Sequence, residues 1–336
     1  MAKQKNKNRL QIISILFGLL LFGLLIYRVG LRETLTDLSR VGWWFAVCCL
    51  LGLGWIFLQS LAWSIIQGAL QKVPFLALFK AKILADGFNT LLPAANFGGE
   101  AARAVIIKRY SPLREGIPGV VFDKTIEYSA SFIYLGSSLL ISLIYLKIPE
   151  KMKISSMVVL SVIIVGIIVL FFLQFRGTHK FLQRLSHLFP RFRKWFLEKE
   201  EMIKTLDANM RLLFKHSPAK LIMALMLHVL SRFLGAAEVL VIIKALGLHV
   251  DLIKVLFISA FVVLINTAFF IIPGQWGAAE GANVLAAITV GYPAAAGLSL
   301  GLVRRARKLL FAALTLVIVF LDRLKIKSKK GRKYDN

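Results

Sequence analysis

The sequence predicts an all-α integral membrane protein, with about six full spans and two re-entrant or broken helical segments arranged as an inverted repeat. Three observations lead to this fold class. Hydrophobic residues make up 58% of the chain and its mean hydropathy is +0.73, both far above the values of soluble domains. Several apolar runs reach the roughly 20 residues that a helix needs to cross the hydrocarbon core. Lys and Arg collect between these runs.

Six apolar runs have the length and composition of complete spans. The first follows a basic tail and has no small-residue cleavage site after it, so we interpret it as a span rather than as a signal peptide. The second begins with Trp43 and Trp44, a residue type that is enriched at membrane interfaces. The six predicted spans are about 10–27, 43–70, 118–146, 154–174, 219–246 and 294–321.

Two other apolar segments, 74–110 and 251–291, are interrupted by Pro, Gly, Asn and charged residues. We interpret each of them as a re-entrant or broken helix, because prolines and glycines interrupt a continuous span. Residues 10–321 then form a single polytopic membrane domain. Basic tails flank this domain at 1–9 and 322–336.

The charge balance indicates an anionic partner. The chain has 43 Lys and Arg against 17 Asp and Glu, a net charge of +26. The apolar runs favour membrane lipids of the anionic inner leaflet over nucleic acid, so no nucleic-acid partner is expected. Both tails and the basic 176–217 segment are predicted to face the cytoplasm, and six spans place all three there. This predicts a multi-pass protein of the cytoplasmic (inner) membrane with cytoplasmic termini.

The 176–217 segment alternates basic and apolar residues. This pattern is typical of an amphipathic helix lying on the inner membrane surface. A solvated cytoplasmic linker is the alternative.

The sequence contains little that points to catalysis or to a cofactor. Cys48 and Cys49 are adjacent inside an apolar run, where we interpret them as small hydrophobic residues. The sequence has no metal-ligand spacing, nucleotide-binding loop or catalytic-triad context. We therefore expect no cofactor and no enzymatic activity, since the longest polar stretch is only 176–217.

The two broken segments share a sequence pattern. Residues 89–103 read NTLLPAANFGGEAAR, and residues 271–283 read IIPGQWGAAEGAN. In both, a Glu follows a Pro by seven residues with Gly between them, and a Tyr and a Pro come later. The predicted topology puts the first segment on the cytoplasmic side and the second on the outer side. The repeats are therefore predicted to be inverted, an arrangement typical of transporters.

The prolines and glycines of the repeats predict where helices stop and restart. Pro93 and Pro273 should each end a half-helix. Helices restarting near Gly98 and Gly277 would direct free amide groups and positive dipole ends into a cavity, which suits phosphate or carboxylate.

Charged residues follow each turn. An ionisable group at membrane depth is costly and is a functional candidate by default, so Glu100 and Glu280 either shape the site or only cap the helix starts. Arg103 lies one turn after Glu100, placed to pair with it or to hold a lipid phosphate through two hydrogen bonds.

The spans that follow the repeats also carry charge. Asp123 and Glu127 share one helix face, as do Arg304 and Lys308, and the two sets look complementary in sign. We expect ion pairs between them; the alternative is that both sets reach the membrane interface. The span 219–246 also contains His228, Arg232 and Glu238. These are weaker candidates for ligand binding, because isolated polar residues in a span more often satisfy a neighbouring polar group. The predicted substrate-binding residues are Pro93, Gly98, Gly99, Glu100, Arg103, Asp123, Glu127, Arg232, Pro273, Gly274, Gly277, Glu280, Arg304 and Arg305.

The run from Leu91 to Arg103, together with the run from Ile272 to Gly281, resembles the flippase-like transmembrane region of lysylphosphatidylglycerol synthases. The resemblance extends over about 10–321, and Arg304 also fits the family's pattern. The chain departs from the family at Gln275 and Trp276, where another Gly-rich element is expected, and it lacks the aminoacyl-transferase domain. The resemblance implies lipid translocation rather than lipid aminoacylation.

The leading hypothesis is a flippase-like transporter of an anionic or amphiphilic lipid, such as a phospholipid, an aminoacyl-lipid, a hopanoid or a polyprenyl-linked lipid. In this hypothesis Arg103, Arg304 and Arg305 hold the phosphate, while Glu100 and Glu280 shape the gate. The alternative is a non-transporting membrane subunit that recruits a lipid- or glycan-modifying enzyme through its 176–217 surface. A membrane-embedded lipid transferase is a third possibility. Head group, direction, energy source and oligomeric state stay open.

Overall fold

The computed structural model describes residues 36–37, 39–91, 98–110, 113–147, 149–176, 178–216, 218–268 and 277–331. The predicted first span and the turn residues Pro93, Pro273 and Gly274 lie outside these residues. The described part of the chain forms eleven helices. They are α1 (Trp44–Leu70), α2 (Phe75–Leu91), α3 (Gly98–Ile107), α4 (Leu113–Tyr145), α5 (Glu150–Arg176), α6 (Thr178–Leu188), α7 (Pro190–His216), α8 (Pro218–Ala245), α9 (Leu252–Ala268), α10 (Ala278–Thr289) and α11 (Ala294–Gly331).

Three of the described helices are long and apolar enough to cross a membrane: α1, α8 and the Gly116–Tyr145 part of α4. They match three predicted spans to within about two residues at each end. The predicted spans 154–174 and 294–321 lie within α5 and α11. In α11 the helix is continuous, but a run of basic residues interrupts its apolar sequence. The protein is therefore an all-α, multi-pass membrane protein, as the sequence predicted.

Both segments that were predicted to be broken are pairs of helices. The first consists of α2 and α3, which pack against each other on either side of residues 92–97. The second consists of α9 and α10, which pack in the same way on either side of residues 269–276. Each helical hairpin also contacts the long helix that follows the other one, since α11 packs on α2 and α4 packs on α9.

The helices that precede the two hairpins, α1 and α8, run antiparallel. The Lys244 ammonium lies 5.7 Å from the centre of the Trp44 ring, and about three turns further along α1, Gly54 faces Leu234. Residue numbers therefore rise along α1 while they fall along α8. Because each of these helices leads into one hairpin, the two halves of the chain have opposite directions, as an inverted repeat requires.

A close helix contact fixes α11 against α10. A methyl group at Gly297 would lie 2.6 Å from the Val284 Cα and 2.7 Å from the Asn283 carbonyl oxygen. Gly301, one turn later, faces Glu280 at a similarly short distance. Two glycines four residues apart let helix backbones approach closely, and here they bring the basic run of α11 next to the start of α10.

The 176–217 segment forms two helices, α6 and α7, which pack side by side. Phe196 and Ile203 of α7 are buried. His179 Nε2 of α6 lies 3.1 Å from Glu200 Oε1, and Lys204 Nζ lies 3.0 Å from the same oxygen. Hydrogen bonds from these two side chains lower the pKa of Glu200 below its ordinary value. The predicted amphipathic helix is thus a hairpin of two helices; its position on the inner membrane surface stays a prediction.

Candidate functional site

A buried group of charged side chains lies between the first hairpin, α4 and α8. We call it the first cluster; it comprises Lys82, Glu100, Arg103, Asp123, Lys124, Glu127, His228 and Arg232.

Asp123 is the centre of the first cluster and is fully buried. Its Oδ2 atom accepts a 2.5 Å hydrogen bond from Arg103 and lies 3.1 Å from Lys82 Nζ. Its Oδ1 atom lies 3.0 Å from His228 Nε2. One carboxylate of α4 therefore joins α2, α3 and α8, which makes this residue the main electrostatic link between the first hairpin and the rest of the bundle.

Arg103 is enclosed by acidic and aromatic side chains. It is only 1% exposed, and its guanidinium donates a 2.9 Å hydrogen bond to Glu100 as well as the bond to Asp123. The guanidinium carbon also lies 3.9 Å from the centre of the Trp63 ring, a favourable cation–π distance. The predicted Glu100–Arg103 pair is confirmed. In this conformation a ligand phosphate would have to compete with two carboxylates for Arg103.

Glu127 and Glu100 complete the first cluster. Glu127 lies 3.2 Å from Lys124, 3.4 Å from Arg232 and 3.6 Å from Lys82. Glu100 lies 3.3 Å from Lys124. Every acidic group of the cluster thus contacts at least two basic groups. Asp123 and Glu127 both contact Lys82 of the first hairpin, because residues four apart lie on the same face of a helix.

A second cluster comprises Glu238, Glu280, Arg304, Arg305 and Arg307. Arg307 makes a two-pronged contact with Glu238, at 2.6 Å and 3.3 Å. Arg304 Nε lies 3.3 Å from the same carboxylate, and its Nη2 donates a 2.8 Å hydrogen bond to the Gly235 carbonyl oxygen. Arg305 hydrogen-bonds to the buried Glu280. This cluster joins α8, α10 and α11.

The restarting helices begin as expected, at Gly98 for α3 and directly after Gly277 for α10. Gly277 has a φ of 74°, which favours glycine, and its amide donates a 2.9 Å hydrogen bond to Glu280. Glu280 therefore both caps its helix and pairs with Arg305. At α3 the cap is Asn89, whose side-chain oxygen accepts the Gly99 amide at 2.7 Å, while Glu100 is engaged by basic side chains.

The sequence predicted ion pairs between the acidic residues of α4 and Arg304 and Lys308 of α11, and this prediction is wrong. Asp123 and Glu127 find their partners on α2, α3 and α8, while Arg304 pairs with Glu238. The sequence shows which face of a helix a residue occupies but not which helix packs against that face. For the same reason the two half-sites are not complementary in sign, since each cluster contains both signs.

Asp86 of α2 lies between the two clusters. It is within electrostatic range of Arg307 and Lys308 on one side and of Lys124 on the other. It also lines a polar cavity of about 50 Å³ between α1, α2, α3 and α4. A cavity of this size holds about one or two water molecules.

Four residues of this region were missed by sequence reasoning. Lys82 and Asp86 are ionisable residues in an apolar helix, so the cost of charge at membrane depth was a signal for both. Gln59 and Trp63 of α1 gave no such signal. His228, which ranked low, contacts the central carboxylate. Among the residues that the structure describes, no group of His, Cys, Asp and Glu side chains is arranged to hold a metal ion.

The fold and the site define a class of protein: a multi-pass helical membrane protein in which two broken-helix hairpins follow antiparallel helices, and each hairpin contributes side chains to one of two clusters of charged residues. The chain belongs to the family described as the lysylphosphatidylglycerol synthase TM region, whose model matches residues 11–315. Membership of this family indicates a membrane function related to lipids. No curated protein and no solved structure matches the chain significantly.

Proposed function

We propose that this protein is a flippase-like transporter that moves an anionic or amphiphilic lipid across the cytoplasmic membrane. The observation that carries the proposal is that each of the two broken-helix hairpins, which follow antiparallel helices, contributes side chains to one of the two charged clusters. Ion pairs are expensive inside a bilayer, and non-helical backbone is tolerated there only where protein or water surrounds it.

The proposed mechanism is an exchange of partners. A lipid phosphate enters beside Arg103 when the first hairpin opens, and it replaces a carboxylate in contact with that guanidinium. Arg304 and Arg305 receive the phosphate from the other half of the bundle. Glu100 and Glu280 then return to their arginines and close the path, while the acyl chains stay in the bilayer. Equivalent groups in the two inverted halves permit the same exchange from either side.

The proposal includes an orientation. Both termini and the α6–α7 hairpin lie in the cytoplasm, where the basic residues of the tails and of α7 face the anionic leaflet. The first hairpin enters from the cytoplasmic side and the second from the outer side. The protein acts as a carrier rather than as an enzyme, with membrane lipids as its substrates.

The direct test is transbilayer movement of lipid in proteoliposomes. The purified full chain is reconstituted with lipids that carry a head-group fluorophore, and an impermeant quencher reports how fast the inner-leaflet label becomes accessible. We expect wild type to move lipid, Arg103→Ala to be at least about tenfold slower, and Lys204→Ala on α7 to match wild type. Equal rates for wild type, Arg103→Ala and empty liposomes would end the proposal.

A second candidate function has one specific observation in its favour. The α6–α7 hairpin exposes apolar side chains next to basic ones, a composition that suits docking of a partner protein as well as a membrane surface. The exposed apolar residues are Phe181, Leu188, Phe189 and Leu197. In this reading the protein is a non-transporting subunit that recruits a lipid- or glycan-modifying enzyme. Leu188→Ser would then abolish capture of that enzyme, whereas a transporter would keep its lipid-movement rate.

A further inference from the structure

Basic side chains outnumber acidic ones in the first cluster. Four cations share three carboxylates, and His228 adds no negative charge. The cations are Lys82, Arg103, Lys124 and Arg232, and the carboxylates are Glu100, Asp123 and Glu127. The first cluster thus carries one unit of positive charge that its own carboxylates do not balance.

The second cluster has the same imbalance. Arg305 and Glu280 form a neutral pair, but Glu238 faces both Arg304 and Arg307 within the described part of the chain. Asp86 and Lys308, which lie between the clusters, offset each other. The hairpin tips 92–97 and 269–276 contain no ionisable residue in their sequence. Together, the described charges of the two clusters leave an excess of two positive charges.

This excess is expensive where it lies. The side chains of the cations in the two clusters are between 1% exposed, for Arg103, and 25% exposed, for Lys124. Burying a charge without a counter-charge costs far more than burying an ion pair. Ionisable residues inside a membrane are functional-site candidates by default, and a ligand at such a site can supply the missing charge. The missing charge here is negative.

Unused hydrogen-bond donors point to the same kind of ligand. Gln59 Nε2 and Arg103 Nε are buried and have no hydrogen-bond partner within the described residues. Both residues line the cavity of about 50 Å³, together with Lys82, Lys124 and the carboxylates of Asp86, Glu100 and Glu127. Buried donors normally find an acceptor, and phosphate oxygens are acceptors only.

We propose that the ligand of this network is a lipid whose head group is a phosphate monoester or a pyrophosphate, with close to two negative charges and no ammonium group. A phosphate monoester carries about −1.5 to −2 charges at pH 7, which matches the excess summed over the two clusters. A phosphodiester such as phosphatidylglycerol supplies only one negative charge. A lysyl head group adds cations to a site that already has too many. The lipid part of this inference rests on the proposed function; the charge preference does not.

The test compares lipids that differ only in head group. The purified full chain is placed in phosphatidylcholine nanodiscs that contain dioleoyl phosphatidic acid, phosphatidylglycerol or lysylphosphatidylglycerol, and bound lipid is quantified by native mass spectrometry at 150 mM salt. We expect phosphatidic acid to bind about tenfold more tightly than phosphatidylglycerol, and the lysyl lipid to bind least. Equal binding of the three lipids, or tightest binding of the lysyl lipid, overturns the inference.

Inorganic phosphate is a separate arm of this experiment. If the site recognises a lipid, millimolar phosphate should compete only weakly with phosphatidic acid. If phosphate alone binds as tightly as the lipid, the ligand is a soluble phosphate and the lipid assignment is wrong.

Two variants that change the net charge of the first cluster in opposite directions test the charge argument. Lys82→Gln removes one excess positive charge and should reduce the preference for phosphatidic acid over phosphatidylglycerol to about threefold or less, whereas Glu100→Gln adds one and should strengthen it by about threefold. Lys204→Gln, on the surface of α7, is the control and should leave the preference unchanged. If Lys82→Gln does not fold, the direction of the Glu100→Gln effect decides.

These outcomes separate the two proposals. Selective binding of phosphatidic acid without transbilayer movement of any lipid would refute the transporter but keep the charge preference. Movement of all lipids at one rate, with no selectivity in binding, would refute the preference but keep the transporter.

Discussion

Replacing Asp123 with asparagine removes the carboxylate on which Lys82, Arg103 and His228 converge. The amide keeps the size of the side chain, so the change is electrostatic rather than steric. At a Lys82–Asp123 separation of 3.1 Å, the attraction is about 5 kcal/mol at an effective dielectric constant of about 20. Part of this is offset, because the variant no longer has to bury an ionised carboxylate. We expect a net loss of about 3 kcal/mol in the free energy of unfolding.

A second change separates this explanation from loss of a single hydrogen bond. In the double variant Asp123→Asn with Lys82→Met, one of the two cations that lose this carboxylate is also removed. We expect this double variant to recover more than half of the lost free energy, so that the two effects are strongly non-additive. The exposed Glu201→Gln, which loses a 3.6 Å contact with Lys204, is the control and should cause little change.

The measurement is reversible unfolding of the purified protein in mixed micelles of increasing denaturing-detergent content. Two results would refute the reasoning. The first is an Asp123→Asn variant no less stable than Glu201→Gln. The second is a double variant whose loss equals the sum of the single losses, since a site without charge coupling would behave in that way.

Three other predictions address separate features of the molecule. Gly297→Leu should lower stability by about 1–3 kcal/mol through collision with the α10 backbone, whereas Gly136→Ala, which has open space around it, should be neutral or slightly stabilising in thermal unfolding. Ionised Glu200 stabilises the α6–α7 contact above pH 4.5, and this contribution is lost as the pH falls through its lowered pKa; amide exchange in α6 should therefore speed up in acid, and Glu200→Gln should remove that pH dependence. In a cysteine-free background, cysteines at Lys108 and Pro293 should react with impermeant maleimide from opposite sides of the membrane, and labelling from the same side would contradict the inverted topology.

The membrane class and the helix boundaries follow from local properties of the chain. Apolar runs of sufficient length must form helices in a bilayer, because each backbone amide and carbonyl has to be satisfied within its own segment. Prolines and glycines interrupt such runs wherever they occur. The break points of both hairpins, and the helix starts at Gly98 and Gly277, could therefore be predicted without knowledge of any partner.

The pairing of Glu100 with Arg103 was also predictable, since the two residues are three apart on one helix. The capping role of Glu280 depends only on the first turn of its own helix, so it could also be predicted from the sequence. Lys82 and Asp86 were predictable as well, because an ionisable residue in an apolar helix is costly at membrane depth and is a functional candidate.

What the sequence determined by itself is the set of helices, their breaks and the contacts between residues a few positions apart, because these depend on neighbours along the chain. Only the tertiary structure decided that Asp123 meets His228 of α8 and that Glu238 meets Arg304 and Arg307, because these residues lie far apart in the sequence. A helical period shows the direction in which a charge points, whereas the packing of helices decides which charge it meets. The net positive charge of the network is a property of that packing.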